Sequence, residues 1–238
     1  MELIFLDTET TGNDVTKDRL CQICYRTDKG TRTEYFKPPV PVSIKAMSIT
    51  HITNKILVDK GPFIGSNMYK ELEKLLTKGV LVAHNAKFDV AMLKAEGMEV
   101  PKFICTLRIA RNLDTENVIP EYNLQYLRYY LELEVEGTPH DAESDVNVLE
   151  AVFKRQLQKI MEKIPNREKA IEEMIKISSM PVLFKKINFG KYKDKEIEEI
   201  LKTDRRYLEW LLAEKRKTPE LEEDWIYTLE NYLNRKAS

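Results

Sequence analysis

Asp7 and Glu9 stand at i and i+2 in Phe5-Leu6-Asp7-Thr8-Glu9-Thr10-Thr11-Gly12, where an apolar run gives way to turn-forming residues. Side chains two apart on a strand share a face, so both carboxylates would project together. Two acids held that way repel unless a cation or a proton lies between them. Mg²⁺ or Mn²⁺ bound by hard oxygen ligands is the usual cation. Taken alone, such a pair is more often a solvated strand end than a pair of ligands. Two further acids occupy special places: Asp89, early in a helix that follows Val80-Leu81-Val82-Ala83, and Asp145, in the first turns of a long helix. Each has a histidine five residues before it, in His84-Asn85-Ala86-Lys87-Phe88-Asp89 and His140-Asp141-Ala142-Glu143-Ser144-Asp145. In the second segment a loop histidine can stand beside a helical carboxylate while the helix stem stays packed.

The elements that must position these acids follow from hydrophobic period. Residues 2–6, 20–27 and 32–36 read as three antiparallel strands, the last two joined by the Asp28-Lys29-Gly30 turn. Ser43 caps a short helix leading into Ser48-Ile49-Thr50-His51-Ile52-Thr53. Residues 67–76 have helical spacing, closed by Gly79. Val80–Ala83 is a buried strand, and a helix over 87–96 ends at Gly97. A strand at 102–105 leads into helices over 106–113 and 124–131, and Gly137-Thr138-Pro139 is a turn. From His140 to about Lys163 apolar residues return at Val146, Leu149, Val152, Phe153, Leu157 and Ile160, which predicts a long amphipathic helix. Strands alternating with helices give an α/β layout.

Length and composition bound the function classes. The 238 residues suit one full domain plus a smaller appendage, and a hydrophobic fraction of 42% supports an ordinary core. A charged fraction of 32% at a net charge of -1 excludes a uniformly basic protein, so contact with phosphate must come from local patches. No apolar run reaches the roughly 18 residues that a membrane helix needs, and Met1 runs straight into a strand-like segment without a signal-peptide layout. The expectation is a cytoplasmic protein with no membrane contact. Cys21, Cys24 and Cys105 are expected as free thiols, with no disulfide-linked partner. Cys21 and Cys24 have the spacing of half a zinc site, but no second pair follows, and i and i+3 on a strand point to opposite faces.

Together the three acidic segments resemble the motifs of the DEDDh exonuclease superfamily, with His140-x4-Asp145 marking the h subgroup. The resemblance covers about residues 1–160. It implies a ribonuclease H-like fold, a mixed five-stranded sheet flanked by helices, and removal of nucleotides from 3′ ends. It also implies two Mg²⁺ (or Mn²⁺): Asp7, Glu9 and Asp145 on the first, Asp7 again on the second, and Asp89 holding the second largely through water. His140 would be the general base, since an imidazole with a pKa of about 6.5 can take a proton from the attacking water near neutral pH. Thr8, Thr10, His51, Asn85 and Phe88 are candidate substrate contacts. Thr50-His51 stands where the family has His-Gly. His84 reads as a hydrogen-bonding residue at the helix start, and Asn85 as a helix cap that could instead meet substrate. Asp141 reads as a solvated acid at a helix start that could tune His140.

Ile164-Pro165-Asn166 and Ser178-Ser179-Met180-Pro181 are boundary signals, giving a catalytic domain over 1–164, a helical linker over 165–180 and a small, mainly helical appendage over 181–238. Short helices are expected near 196–201 and 205–213, and a last one starting at Pro219. Phe189-Gly190-Lys191-Tyr192-Lys193 with Tyr207-Leu208-Glu209-Trp210-Leu211 resembles the C-terminal region of exodeoxyribonuclease X-like proteins. Residues 181–217 hold 11 Lys and Arg against 7 Asp and Glu. Basic residues among aromatics suit unpaired bases and backbone phosphate, with Lys191, Tyr192 and Lys193 exposed and Trp210 buried in a small core. The reading is a metal-dependent 3′-to-5′ exonuclease whose partner is DNA with a 3′ end, preferably single-stranded, in repair or end trimming. RNA trimming of the ribonuclease T kind, a proofreading subunit and a non-catalytic binding module are the alternatives.

Overall fold

A computed structural model describes residues 1–116, 118–135, 142–219 and 222–235. The chain divides into two units, residues 1–113 with 119–178, and residues 114–118 with 179–238. In the first, β1 (Leu3–Thr10), β2 (Leu20–Thr27) and β3 (Gly30–Tyr35) precede α1 (Ile44–Thr50), α2 (Asn54–Leu57) and α3 (Asn67–Lys78). Then come β4 (Val80–Ala83), α4 (Ala86–Ala95), β5 (Phe103–Cys105), α5 (Thr106–Leu113), α6 (Leu124–Tyr130), α7 (Ala142–Met161) and α8 (Arg167–Ser179).

The strands form one mixed sheet in the order β3-β2-β1-β4-β5, antiparallel across the first three and parallel across the last three. This is the expected ribonuclease H-like arrangement. The apolar pattern ends the central strand at Leu6, but the strand runs to Thr10. The reason is that β2 pairs with it as far as Thr10–Leu20, whereas its parallel pairing with β4 stops at Phe5–Val82. The last residues of β1 thus project past β4, opening the crevice at the carboxyl ends of parallel strands where α/β sheets bind ligands.

Alternation along β1 sorts its side chains into two cores. Phe5 joins Val146, Leu149 and Phe153 of α7 on one face, with Phe5 and Phe153 edge to face at 5.2 Å. Ile4 and Leu6 join Leu72 of α3 and Met92 and Leu93 of α4 on the other. Asp7 and Glu9 continue the Phe5 series and Thr8 the Leu6 series. Cys21 and Cys24 fall in different apolar clusters, as their spacing requires, and burial first raises their thiols to about 12 and 11.

Two sequence readings change. The presumed linker helix is α8, and its Ala170, Ile171 and Met174 sit in the α7 core, so it is part of the first unit and the chain divides after it. Apolar residues at helical spacing had a core to join. Gly79 closes α3 with a φ of -96°, not in the left-handed region; its need is space, because a Cβ there would lie 2.7 Å from Cδ1 of Ile4.

The smaller unit contains a 3-10 turn at Gly190–Tyr192, then α9 (Ile197–Thr203), α10 (Arg205–Lys215) and α11 (Glu223–Leu233), which begins at Glu223 rather than at Pro219. It has its own core of Ile187, Ile197, Ile200, Leu208, Leu211, Trp225, Leu229 and Tyr232. The buried tryptophan is Trp225, at 8% exposure; Trp210, expected inside, is 55% exposed.

A β-bulge fixes the register beside the acids. Glu9 pairs with Gln22 but Thr10 with Leu20, so Cys21 is the extra residue. The buried Leu20 amide donates to Oε1 of Glu96, 3.2 Å away at the end of α4. Glu96→Ala should therefore leave a buried N–H without its acceptor, at a cost of about 1–3 kcal/mol, while Glu96→Gln retains an acceptor and most of the stability. Urea midpoints at a common m value measure the difference; equal midpoints for Glu96→Ala and wild type would mean that the bulge is anchored elsewhere.

Candidate active site

Four acids arrive from three elements. Asp7 and Glu9 come from the projecting end of β1, both half-buried; Asp89 from the first turn of α4; and Asp145 from the first turn of α7. Asp89 and Asp145 are 5% and 9% exposed. Thr8, on the opposite face of β1 from its neighbours, donates from Oγ1 to Oδ1 of Asp89 at 2.7 Å. Gln125 of α6 donates from Nε2 to Oδ1 of Asp145 at 2.6 Å. No sequence signal marks Gln125, because its partner lies twenty residues on and meets it only through the packing of α6 on α7.

Electrostatics shows that the acids form one group. Burial raises the Asp7 carboxyl well above the usual range, and the charges of Asp89, Glu9 and Asp145 raise it further. Burial, then Asp145 and Asp89, brings Glu9 to about 7. Burial brings Asp89 to about 7 against the opposing hydrogen bond from Thr8. Among the described residues no three His, Cys, Asp or Glu side chains stand so as to hold a metal ion. The donor chemistry nevertheless fits a hard divalent cation: carboxylate oxygens from four residues, partly withdrawn from water, whose mutual repulsion such an ion relieves.

His84, which follows β4, is engaged on both ring nitrogens. Nε2 is 2.7 Å from the Tyr122 carbonyl and must carry the proton, which leaves Nδ1 to accept from the Thr106 hydroxyl at 2.9 Å. Burial lowers its pKa to about 4. Both partners lie outside α4, Thr106 at the start of α5 and Tyr122 ahead of α6. His140 and Asp141 lie outside the described residues, as do Gly137, Thr138 and Pro139.

The substrate candidates divide. Thr8 is committed to Asp89, and the Thr10 hydroxyl donates to its own turn at the Gly12 carbonyl, 2.7 Å away. Asn85 stands at the N-cap just before α4 in a left-handed conformation, φ 63°, and its side chain makes no capping bond. That corrects the expected cap: a residue in this conformation does not aim its side chain at the helix amides. Asn85 is exposed, and Phe88 packs against the α3–α4 core. His51 is exposed at the end of α1, also left-handed, φ 59°.

The model of the Exonuclease family matches residues 4–153, a span that holds all four acids. The chain belongs to the DEDDh family of 3′–5′ exonucleases. That family depends on divalent metal. Residues 187–215 match a second family, the exodeoxyribonuclease X-like C-terminal region. Exodeoxyribonuclease 10 of Escherichia coli (strain K12) is 29% identical to this exonuclease over 211 residues, 83% of this chain and 82% of that protein. A PolC-type DNA polymerase III of Streptococcus pyogenes is 35% identical over 130 residues, which is half of this chain but 8% of the polymerase. The solved structure of exonuclease X in complex with 5′ overhanging duplex DNA superposes with a TM-score of 0.58 at 25% identity, covering 74% of this chain and 99% of that one. An E. coli ExoI–ssDNA complex, at 19% identity and a TM-score of 0.56 over 71% of this chain and 42% of that one, shares the fold.

The raised carboxylates set a pH dependence. Their folded pKa values exceed the unfolded values of about 4, so the folded state holds more protons, and stability falls as pH rises through about 7. His84 acts oppositely: held near 4 when folded against an ordinary 6.5, it makes stability rise with pH between those values. Above 6.5 it is neutral in both states, and the acids alone remain. In EDTA the melting temperature should fall from pH 6.5 to pH 8, and Asp89→Asn should flatten the slope. A wild-type melting temperature constant or rising over that interval would contradict the proposed carboxylate repulsion.

Proposed function

We propose that this exonuclease hydrolyses DNA from 3′ ends, single-stranded or frayed ends preferred, and releases nucleoside 5′-monophosphates in repair or end trimming. The observation that carries this reading is the gathering of Asp7, Glu9, Asp89 and Asp145 at the projecting end of β1. Asp7, Glu9 and Asp145 would hold one divalent ion, and Asp7 with Asp89 a second, Mg²⁺ or Mn²⁺. When bound, two such ions stabilise charge on the attacking and departing oxygens of a phosphodiester.

The chain's own residues supply the rest. The hydroxyl of Thr8 orients Asp89 and the amide of Gln125 orients Asp145, so that two of the four carboxylates are held from behind. Withdrawal from water strengthens each of these interactions. His140 would take the proton from the attacking water; His84 is unsuited, both its nitrogens being occupied. Exposed Asn85 and half-buried Phe88, beside Asp89 in sequence, would meet the terminal nucleotide, as would His51. Exodeoxyribonuclease 10 and the exonuclease X–DNA complex support DNA as the substrate.

Labelled at the 5′ end, single-stranded DNA, duplex DNA and RNA of one sequence should be shortened stepwise from the 3′ end in that order of preference, with Mg²⁺ or Mn²⁺ and not in EDTA. Asp7→Ala and Asp145→Ala should each leave less than about a hundredth of the rate, a larger loss than the smallest effects of a missing general acid or base, typically 10² to 10⁴. His140→Ala should lower kcat while Mn²⁺ titration heats stay unchanged; lost Mn²⁺ binding would make it a ligand. RNA degraded faster than DNA would transfer the reading to an exoribonuclease.

A further inference from the structure

The small unit buries eight large apolar side chains, yet leaves Trp210 more than half exposed. An exposed indole on a helix whose neighbours Leu208 and Leu211 reach the core is not needed for packing. It is also not isolated. The Tyr207 ring lies 5.6 Å from Trp210, and the Tyr192 ring 4.8 Å from Tyr207 and nearly perpendicular to it, giving three adjoining aromatic rings.

Asp204 fixes this group. Its Oδ2 accepts from the Tyr192 hydroxyl at 2.7 Å and from Nζ of Lys191 at 3.3 Å, and its Oδ1 accepts the Tyr207 amide at the start of α10. The turn carrying Tyr192 is thereby tied to the helix carrying Tyr207 and Trp210. Gly190 makes the turn possible: its φ is +62°, in the left-handed region that side chains rarely adopt. Lys191, over the Tyr192 ring at 4.6 Å, is spent neutralising Asp204. Exposed Lys193 follows Tyr192, and exposed Arg206 lies one helical turn from Trp210. Neither makes an ion pair among the described residues, so two cations border the rings with their charge uncommitted.

We propose that Tyr192, Tyr207 and Trp210, flanked by Lys193 and Arg206, form a platform on the C-terminal unit that binds unpaired nucleotides, a base stacking on Trp210 and the cations taking adjacent phosphates. Every base has a π face, and stacking on an exposed aromatic is worth about 1–3 kcal/mol per base. The platform therefore reads single strands without regard to sequence. It deepens the reading of the chain as a nuclease of single-stranded or frayed ends and adds a second place at which the strand is held, apart from the carboxylates.

The test uses the full chain in EDTA, so that binding is read without hydrolysis and the fate of the catalytic reading, decided by the cleavage assays, does not affect it. The chain has two tryptophans, and Trp225 is buried, so both emit but quenching by a strand bound at the surface reports on Trp210. Oligo(dT) and oligo(rU) should both quench it, DNA and RNA sharing the required chemistry, whereas blunt duplex should not. Measured by anisotropy of a labelled oligo(dT), Trp210→Ala should weaken binding about tenfold, the equivalent of 1.4 kcal/mol, and Trp210→Phe should keep affinity near wild type while losing the signal. Arg206→Ala should weaken binding and reduce the salt slope by about 0.7, the share of a single phosphate on an unpaired strand. Unchanged affinity in Trp210→Ala with an unaltered melting curve would overturn the platform, as would duplex binding as tight as single-strand binding. Quenching by one of the two oligonucleotides alone would overturn the sugar-blind stacking claimed here.

Discussion

Carboxylates crowded together in a partly dry space are the interaction on which the rest of this molecule turns. The charges of Asp89 and Asp145 raise the pKa of Asp7 and Glu9, and burial raises those of Asp7, Glu9 and Asp89 before any neighbour does. Such an arrangement opposes folding of the metal-free chain at neutral pH. It persists because each acid is carried by an element anchored elsewhere: β1 in the middle of the sheet, α4 in one core and α7 in the other. The cores supply the stability that the site subtracts.

The same anchoring decides the geometry. A central strand that outlasts its parallel neighbour supplies two acids on one face, and helices on opposite sides of the sheet supply one each. The bulge at Cys21, held by Glu96 from the end of α4, sets the register of β2 next to Glu9. Thr8 shows how economical the alternation is, since the residue between the two acids points the other way and orients the third. Asp89 is therefore both opposed by its withdrawal from water and held by a neutral donor.

The C-terminal unit follows a different logic. Its eight-residue core is completed by Trp225 and leaves the aromatic side of α10 open. Asp204 links the Gly190 turn to that helix with three hydrogen bonds. The second family match spans residues 187–215 and so includes both. What those residues build is a small core together with an exposed Trp210 beside two half-buried tyrosines, so their polar and aromatic spacing reflects surface geometry as much as folding.

The three acidic segments, the antiparallel and parallel strands around β1 and the helices from α3 to α7 were all legible in the sequence, because each rests on local period or on spacing within a few residues. Thr8 and Thr10 were visible too, but not the tasks their hydroxyls perform, since a hydroxyl's partner is chosen by what packs above it. Gln125 had no local signal, and the left-handed backbone that keeps Asn85 from capping is imposed by the entry of β4 into α4. Nor could period assign α8 to the first core or separate Trp210 from Trp225, because both tryptophans lie on amphipathic helices. Sequence determined which residues can do chemistry and in what order they arrive; only tertiary packing decided which side chains face one another, for burial and hydrogen bonding are settled between elements distant along the chain.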